Sequence, residues 1–588
     1  MGQFFKFVFA SILGFFLAII LFFILTGIIF SGIISSGKSK ETVSSTPNTI
    51  LHLQLDYQIE ERTKKDPFDE IPFLSSERST KLGLNDLLAS IKQAGKDANV
   101  KGIFLDFADV GAGMASTEEI RNELLKFKKS GKFIIAYSEI YTEKGYYLAS
   151  VADKIYLNPE GLLEFNGLSS QSVFIKGALD KLEIEPQIVK VGTFKSAIEP
   201  LILDKMSDAN RKQVTSYLNS IYRNGLKNVG NSRKINPDSL HAISNLLKVK
   251  TAQDAVNYKL ADGLKYYDEV QAELKKLSGT TDEKEVKLTK IGSYFDAGPA
   301  STSENRIAVI YANGDIASGE GDDQTIGSDR ISAAIRKARK DTKIKAIVLR
   351  VNSPGGSALA SDVIWREVSL TQKVKPIMVS MGDVAASGGY YIACAADSIF
   401  VQPNTITGSI GVFGVIPNAQ KFFNNKLGIT FDGVKTGEYA DIGSTIRPFT
   451  ESERLIIQKE VDRIYIDFTQ KVANGRNKTR AEIDSIGQGR VWSGEEAIKI
   501  GLADKIGGIE DAIKAAASKA KIDSYRIISY PVQKDPLEEI MKNVSDNAKV
   551  WFIKQEMGPD NEKFYQQFEK LMKMRGVQAR MPFDLEIK

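Results

Sequence analysis

The sequence predicts an α/β protein made of two tandem copies of one domain, each with a mainly parallel sheet, preceded by one N-terminal transmembrane helix. Three observations lead to this prediction: an uncharged apolar run near the N-terminus, a long internal repeat, and short apolar strands that alternate with amphipathic helices. At 588 residues, the chain is also too long for one compact core.

The N-terminal run covers residues 7–34 without a single charged side chain. About 20 apolar residues span a bilayer, so this segment is long enough to cross one with some tilt. A cleaved signal peptide has a shorter apolar region and a small-residue cleavage site, and no convincing site is present. We therefore predict an uncleaved anchor. Its orientation stays open, because Lys6 precedes the run while Lys38 and Lys40 follow it.

The internal repeat aligns residues 84–107 with 328–351 without a gap, at an offset of 244 residues. The same offset aligns residues 144–161 with 388–405. The identical positions in the first stretch are Ala89, Ile91, Ala94, Lys96, Asp97, Lys101, Ile103 and Leu105. Because the period exceeds 200 residues, each copy is expected to be a domain.

The chain therefore divides into four predicted segments. They are an anchor over 1–40, a first copy over 41–290, a second copy over 291–530 and a C-terminal helical extension over 531–588. The junction between the copies falls in a polar stretch rich in turn-forming residues. In the second copy, the runs "AIVLRV", "PIMVSM" and "SIFVQP" predict buried strands, and strands that alternate with helices indicate a parallel sheet.

The composition argues against several classes of function, namely nucleic-acid binding, thiol chemistry and metal binding. A net charge of +5 on a chain of this size does not indicate a nucleic-acid partner. The single cysteine, Cys394, lies in an apolar run and is expected to be a buried structural thiol. His52 and His241 are isolated, and both are expected to be structural. We therefore predict neither a metal site nor a cofactor.

A candidate nucleophile lies in "GDVAASGGYY", residues 382–391, where Ser387 sits between small residues at a turn after a predicted strand. The nucleophile-elbow pattern G-x-S-x-G is not matched, because Ala385 occupies its first glycine position. Ser387 could equally cap the following helix. Upstream, the amides beside Gly355 and Gly356 could face an oxyanion or belong to a plain tight turn.

Comparison of the two copies favours the catalytic interpretation of Ser387 and of the glycines over the structural one. Glu143 of the first copy aligns with Ser387, and "DVGA" at 109–112 aligns with "SPGG", so only the second copy carries both features. Conversely, Lys195 of the first copy aligns with Ala440 of the second. A lysine is a general base only when neutral, and burial can lower its pKa from about 10.4 by several units. The pattern indicates one site whose serine and lysine come from different copies.

These motifs resemble the signal peptide peptidase A family in its long, duplicated, membrane-anchored form. The similarity covers nearly the whole chain and includes "VGTFKSAIEP", "VNSPGGS", "GDVAASGGYY" and "NTITGSIGVFG". The resemblance implies a fold like that of Clp protease and crotonase, with a Ser/Lys dyad shared between the copies. It implies Ser387 as nucleophile, Lys195 as general base, the amides of Gly356 and Gly388 as oxyanion donors, and Ser409 as the hydroxyl that orients the lysine.

The resemblance also implies partners and a location. The expected substrates are peptides, namely cleaved signal peptides left in the membrane, with small side chains beside the scissile bond. The expected assembly is a ring-like homotetramer whose active sites face an enclosed chamber. The expected location is the inner membrane, with a single span and the catalytic part on the periplasmic side.

Three alternatives stay open at this point. A crotonase-type enzyme acting on acyl-CoA thioesters would share the fold, and an inactive membrane scaffold could keep the motifs as remnants. The anchor and the reciprocal Ser–Lys pattern argue against the acyl-CoA enzyme, because its chemistry needs neither, and the intact set of motifs argues against the scaffold. A Ser/Lys protease that cuts another membrane-associated substrate is harder to separate from the main prediction.

Overall fold

The computed structural model describes residues 46–64, 81–280, 286–294, 302–533 and 577–581, together with residues 2–4, 6–7, 11 and 13–21 near the N-terminus. The described residues near the N-terminus are helical. Within the described part of the chain, no helix combines the length and the apolar character that crossing a membrane requires. Much of the predicted anchor lies outside the described residues, and the predicted transmembrane helix is not confirmed.

Strands and helices alternate through the first half of the chain. The strands are β1 (Thr49–Leu53), β2 (Val100–Asp106), β3 (Phe133–Tyr141), β4 (Lys154–Leu163), β5 (Glu185–Val191), β6 (Gly263–Leu264) and β7 (Leu288–Lys290). The helices are α1 (Leu84–Lys96), α2 (Met114–Lys128), α3 (Glu143–Ala149), α4 (Lys176–Lys181), α5 (Glu199–Ile202), α6 (Asp208–Arg233), α7 (Pro237–Asn245), α8 (Ala252–Asn257), α9 (Tyr267–Ser278) and α10 (Ile291–Tyr294), with a 3₁₀ turn at Ser196–Ile198. Six strands form a sheet in the order β6-β4-β3-β2-β1-β7, in which every neighbouring pair is parallel.

The second half repeats this alternation. Its strands are β8 (Arg306–Asn313), β9 (Asp315–Ala317), β10 (Thr325–Gly327), β11 (Ile344–Ser353), β12 (Gly355–Ser357), β13 (Ile377–Ala386), β14 (Ser398–Val401), β15 (Ile406–Gly408), β16 (Val412–Asn418), β17 (Val491–Ser493), β18 (Lys505–Ile506), β19 (Arg526–Tyr530) and β20 (Val577–Arg580). Its helices are α11 (Ser328–Lys340), α12 (Ala358–Gln372), α13 (Gly388–Ala393), α14 (Glu451–Arg476), α15 (Arg480–Ile486), α16 (Gly494–Ile500) and α17 (Ile509–Lys519), with a π-helical turn at Phe422–Lys426.

A second sheet, in the order β17-β15-β13-β11-β8-β19, forms the centre of this half. Its pairs are parallel except for β15 with β17, and β14 and β18 extend it beside β13. The three apolar runs predicted as strands fall in β11, β13 and β14, and their core residues are buried. The predicted mainly parallel α/β architecture is confirmed.

The sequence repeat is also a structural repeat. Helices α1 and α11 have 13 residues each, α2 and α12 have 15 each, and α6 and α14 have 26 each. The first two pairs keep the offset of 244 residues found in the sequence. The tandem duplication is therefore visible in three dimensions, whereas the limits 41–290 and 291–530 stay predictions.

A third sheet joins the two halves. Its order is β10-β9-β12-β20-β16-β5, so β5 of the first half pairs antiparallel with β16 of the second. The helix predicted for the C-terminal extension lies largely outside the described residues. Within that extension, β20 is a strand that runs antiparallel to both β12 and β16. The helical prediction did not anticipate this strand.

A buried group of charges also holds the halves together. Arg350 on β11 is 1% exposed, and its Nε donates to a Glu61 carboxylate oxygen at 2.9 Å. Its Nη1 lies 2.7 Å from a Glu119 carboxylate oxygen and donates to Ser380 Oγ at 2.8 Å. Removing one member of such a group leaves a buried charge that is no longer fully compensated, which is costly. The copies are therefore fixed relative to one another by charge as well as by the shared sheet.

Candidate active site

Ser387 occupies a sharp turn between β13 and α13. Its φ of +54° and ψ of −112° lie in a region that residues with a side chain seldom adopt. The next two residues must be glycine, because a Cβ on Gly388 would lie 2.7 Å from Ser361 Oγ and one on Gly389 would lie 2.6 Å from Ser353 O. Within α13, which the structure describes throughout, Ser387 provides no side-chain cap, so the capping interpretation is wrong.

Lys195 of the first copy reaches this serine. Its Nζ lies 2.8 Å from Ser387 Oγ, 3.0 Å from Ser409 Oγ and 3.1 Å from the Ser409 carbonyl oxygen. All three side chains are 0% exposed. The residues predicted as nucleophile, base and orienting hydroxyl are thus brought together, although the first two are separated by 192 positions in sequence.

Burial lowers the pKa of Lys195 well below its usual value of 10.5. The physical cause is loss of water around the amine, which disfavours the charged form. A buried amine with oxygen neighbours can therefore be neutral in a pH range where an exposed lysine is fully charged. A neutral amine has a lone pair that can accept a proton.

The segment that carries Lys195 is held by the second copy. Strand β5 pairs with β16 just before it, and Phe194 N–H donates to the Gln488 carbonyl at 2.8 Å. The Gln213 side chain donates to the Phe194 carbonyl at 3.1 Å and accepts from Val491 N–H at 3.1 Å. Gln213 thus bridges the lysine loop to β17. No sequence motif marked this glutamine, which lies within the long polar helix α6.

The lysine loop also requires a close backbone approach. Gly489 has a φ of +77°, and a Cβ added to it would lie 2.6 Å from the Lys195 nitrogen. A Cβ on Gly411 would lie 3.1 Å from Lys195 Cδ. The second copy therefore packs against both the backbone and the side chain of Lys195. Glycine at positions 411 and 489 leaves the space that this close contact requires.

The predicted oxyanion donors lie beside the serine. Gly355 and Gly356 have φ values of +103° and +156°, and a Cβ on Gly356 would lie 2.1 Å from the Ile316 carbonyl oxygen. A Cβ on Gly355 would lie 2.7 Å from the Gly388 nitrogen. The glycine-rich strand β12 and the amide of Gly388 therefore adjoin each other.

The remaining sequence candidates behave as structural residues. Cys394 is buried, and burial raises the pKa of its thiol to about 12, as expected for an unreactive cysteine. His52 Nε2 contacts Asp106 at 2.7 Å, and His241 Nδ1 contacts Tyr222 at 3.3 Å. Both histidines therefore have partners in the first copy.

The first copy holds no equivalent arrangement at the aligned positions. Glu143, which aligns with Ser387, accepts hydrogen bonds from the N–H groups of Asn166 and Gly167 at 3.0 and 2.7 Å. Ala440, which aligns with Lys195, lies in the exposed stretch 431–440. The two copies therefore contribute different halves of one site.

Comparison with known proteins shows the family to which the chain is similar. The profile of Peptidase family S49 matches residues 126–281 and 369–523, one match in each copy, and the Clp protease profile matches residues 301–407. Protease 4 of Salmonella typhi is 38% identical over 485 residues, which cover 81% of this chain and 78% of that protein. The chain belongs to peptidase family S49.

Other relatives of this S49 protease are similar over most of their length. Protease 4 of Haemophilus influenzae is 36% identical over 82% of this chain and 80% of that protein. "Serine protease SPPA, chloroplastic" of Arabidopsis thaliana is 33% identical over 76% of this chain and 67% of that protein. The S49 protease is thus a serine endopeptidase built from tandem Clp-protease-like domains, and the family resemblance drawn from its motifs is confirmed.

Because the amine of Lys195 is buried, we expect the free energy of unfolding to depend on pH. Between the lowered pKa of native Lys195 and about 10.4, the unfolded chain binds one proton that the native state does not. The free energy of unfolding of the wild type, relative to Lys195→Met, should therefore rise with pH across this window. Urea unfolding at a series of pH values measures it. The exposed-site control Lys190→Met should follow the wild type. Parallel curves for wild type and Lys195→Met would contradict the buried neutral amine.

Proposed function

We propose that this S49 protease cleaves peptide bonds with a dyad in which Ser387 is the nucleophile and Lys195 the general base. The observation that carries the proposal is the 2.8 Å contact between Lys195 Nζ and Ser387 Oγ in a fully buried setting. In the part of the chain that the structure describes, the hydrogen-bond partners of Lys195 Nζ are Ser387 and Ser409. A lysine with such neighbours is suited to proton transfer with a serine.

The neutral amine has two N–H donors and one lone pair. Ser409 offers two acceptors, its hydroxyl and its carbonyl oxygen, at 3.0 and 3.1 Å. With both N–H groups directed to Ser409, the lone pair is left for the hydroxyl proton of Ser387. Ser409 is therefore a positioning residue, because it fixes the orientation of the base.

The reaction then follows acyl transfer. Ser387 Oγ attacks the peptide carbonyl as Lys195 takes its proton, and the amides of Gly356 and Gly388 donate to the oxyanion. One such donor is typically worth about 3 kcal/mol of transition-state stabilisation. Lys195 next protonates the leaving amine, and water hydrolyses the acyl-enzyme.

For the biological setting, the proposal is an inner-membrane protease that degrades cleaved signal peptides, with its catalytic part on the periplasmic side and a homotetrameric assembly. The uncharged run at 7–34 and the resemblance of the motifs support it. Membership of a peptidase family favours it over an acyl-CoA enzyme or an inactive scaffold. A different membrane-associated substrate is the alternative that remains.

Substitution of either member of the dyad should remove peptidase activity. General acid–base catalysis contributes about 10²–10⁴-fold, so Lys195→Met should lower kcat by at least that factor, and Ser387→Ala should be inactive. Hydrolysis of a small peptide ester measures kcat, and circular dichroism checks that each variant is folded. Ser485→Ala, at an exposed serine, is the matched control. Full activity in either dyad variant would contradict the assignment.

The substrate proposal predicts selectivity for signal peptides. Full-length enzyme in lipid vesicles should degrade a synthetic cleaved signal peptide faster than it degrades a folded single-span membrane protein at the same concentration. Mass spectrometry of the products over time gives both rates, and Ser387→Ala provides the background. Equal rates, or cleavage of the membrane protein alone, would favour the alternative substrate.

A further inference from the structure

A buried network of polar side chains holds the backbone of the lysine loop. Its members are Ser196, Glu199, Asn210 and Gln213, each at most 3% exposed. The first two follow Lys195 closely in the sequence, and the other two lie near the start of α6. Buried polar groups are hydrogen-bonded as a rule, and these four bond to one another and to the loop. The proton transfers proposed above use none of them.

Gln213 lies at the centre of this network. Its amide nitrogen donates to the Phe194 carbonyl oxygen at 3.1 Å and to Ser196 Oγ at 2.8 Å. Its amide oxygen accepts from Val491 N–H at 3.1 Å. The two acceptors in the loop belong to the residues directly before and after Lys195. Gln213 therefore fixes the backbone at the point where the lysine side chain begins.

The strand on the other side of Gln213 is connected to both hydroxyls that contact the lysine amine. Val491 of β17 is the pairing partner of Gly408 on β15. The Gly408 carbonyl accepts from Ser387 N–H at 2.8 Å, and Ser409 N–H donates to the carbonyl of the residue before Val491 at 2.7 Å. The bond between Gln213 and Val491 thus joins the loop of the base to the strand pair that holds Ser387 and Ser409.

A buried carboxylate anchors the far end of the network. Asn210 Oδ1 accepts from Ser196 Oγ at 3.0 Å, and Asn210 Nδ2 donates to a Glu199 carboxylate oxygen at 3.0 Å. Ser207 donates to the same carboxylate through its backbone N–H at 3.1 Å and through its hydroxyl at 2.6 Å. Hydrogen bonds to a carboxylate are among the stronger ones in proteins. Glu199 therefore holds Asn210, and Asn210 holds the loop.

The second copy lacks the central residue of this network. Helix α14 corresponds to α6, and each helix begins after a hydroxyl N-cap, Ser207 in α6 and Thr450 in α14. Aligning the helices at these caps places Ile456 opposite Gln213. The side chain of Ile456 is 44% exposed and has no hydrogen-bonding group. The glutamine is thus found in the copy that carries the lysine, and not in the other.

Building on the dyad proposed above, we propose that Gln213 is a positioning residue for the general base and that Asn210 and Glu199 support it. A lysine side chain is long and flexible, so the position of its amine depends on a firmly held backbone. A misplacement of about 1 Å can cost about a hundredfold in rate. Outward movement of the loop would also let water reach the amine of Lys195. Gln213 therefore keeps this amine both close to Ser387 and out of water.

This role predicts a particular kinetic change when the hydrogen bonds of Gln213 are lost. The bonds go to the enzyme's own loop and strand, so kcat should fall while KM stays unchanged. Entry of water raises the pKa of Lys195 from its lowered value towards about 10.4, because the charged amine regains hydration. At a given pH, less of the amine is then neutral. The loss of rate should therefore be greatest at low pH and become smaller as the pH rises.

The test compares kcat, KM and the pH profile of kcat/KM for a small peptide ester, with the full chain as enzyme. Gln213→Met keeps the length of the side chain and removes its hydrogen bonds. At neutral pH it should lower kcat by about tenfold to a hundredfold, leave KM unchanged and move the rising limb of the profile to higher pH. Glu199→Gln should act in the same direction with a smaller effect. Asn219→Met, at an exposed position of the same helix, is the matched control and should behave as wild type.

The outcomes separate this inference from the dyad. Circular dichroism checks that each variant is folded, and Glu199→Gln, which keeps the shape of its side chain, carries the test if Gln213→Met does not fold. Wild-type kcat would overturn the inference, and so would a lower kcat with an unmoved limb, which indicates a purely structural role. Both results leave the dyad standing. A rising limb that Lys195→Met retains would instead overturn the dyad.

Discussion

The burial of one lysine amine is the constraint on which the rest of this site depends. Lys195 is 0% exposed, and its nitrogen is surrounded by the oxygen atoms of Ser387 and Ser409 from the other copy. A charged amine there would lose its hydration, so the pKa of Lys195 falls and the neutral amine is favoured. The same burial that favours the neutral amine opposes folding, because the amine must lose its water, so the surrounding structure has to hold Lys195 in place.

The two copies provide this support in different ways. The pairing of β5 with β16 brings the lysine loop into the second copy, and Gln213 ties that loop to β17. Farther away, Arg350 and its two glutamates fix the copies through a buried group of charges. The two copies differ in complementary ways, with the lysine in the first and the serine in the second, so the candidate site needs both halves of the chain. Neither half could keep the lysine neutral next to a serine on its own.

Much of the fold was accessible from sequence, because local patterns determine it. The repeat, the buried runs of β11, β13 and β14, and the residues of the serine and lysine motifs are all readable as spacing and composition. The sequence does not predict the shared sheet, the bridge through Gln213 or the strand β20. They depend on pairing between distant segments, and β20 is a strand only because two edges flank it. The role of the glycines in β12 is ambiguous in the sequence for the same reason. A tight turn and an oxyanion site have the same sequence pattern, and only the fold places Gly388 beside these glycines.

The most direct test of the central claim is the pH dependence of kcat/KM for a small peptide ester. If neutral Lys195 is the base, the rate should rise with pH through a single ionisation well below the usual lysine pKa of 10.5 and then reach a plateau. The residual rate of Lys195→Met should lack this rise. A wild-type profile that is flat from about pH 5 to pH 10, or one that the Lys195→Met variant retains, would contradict the account.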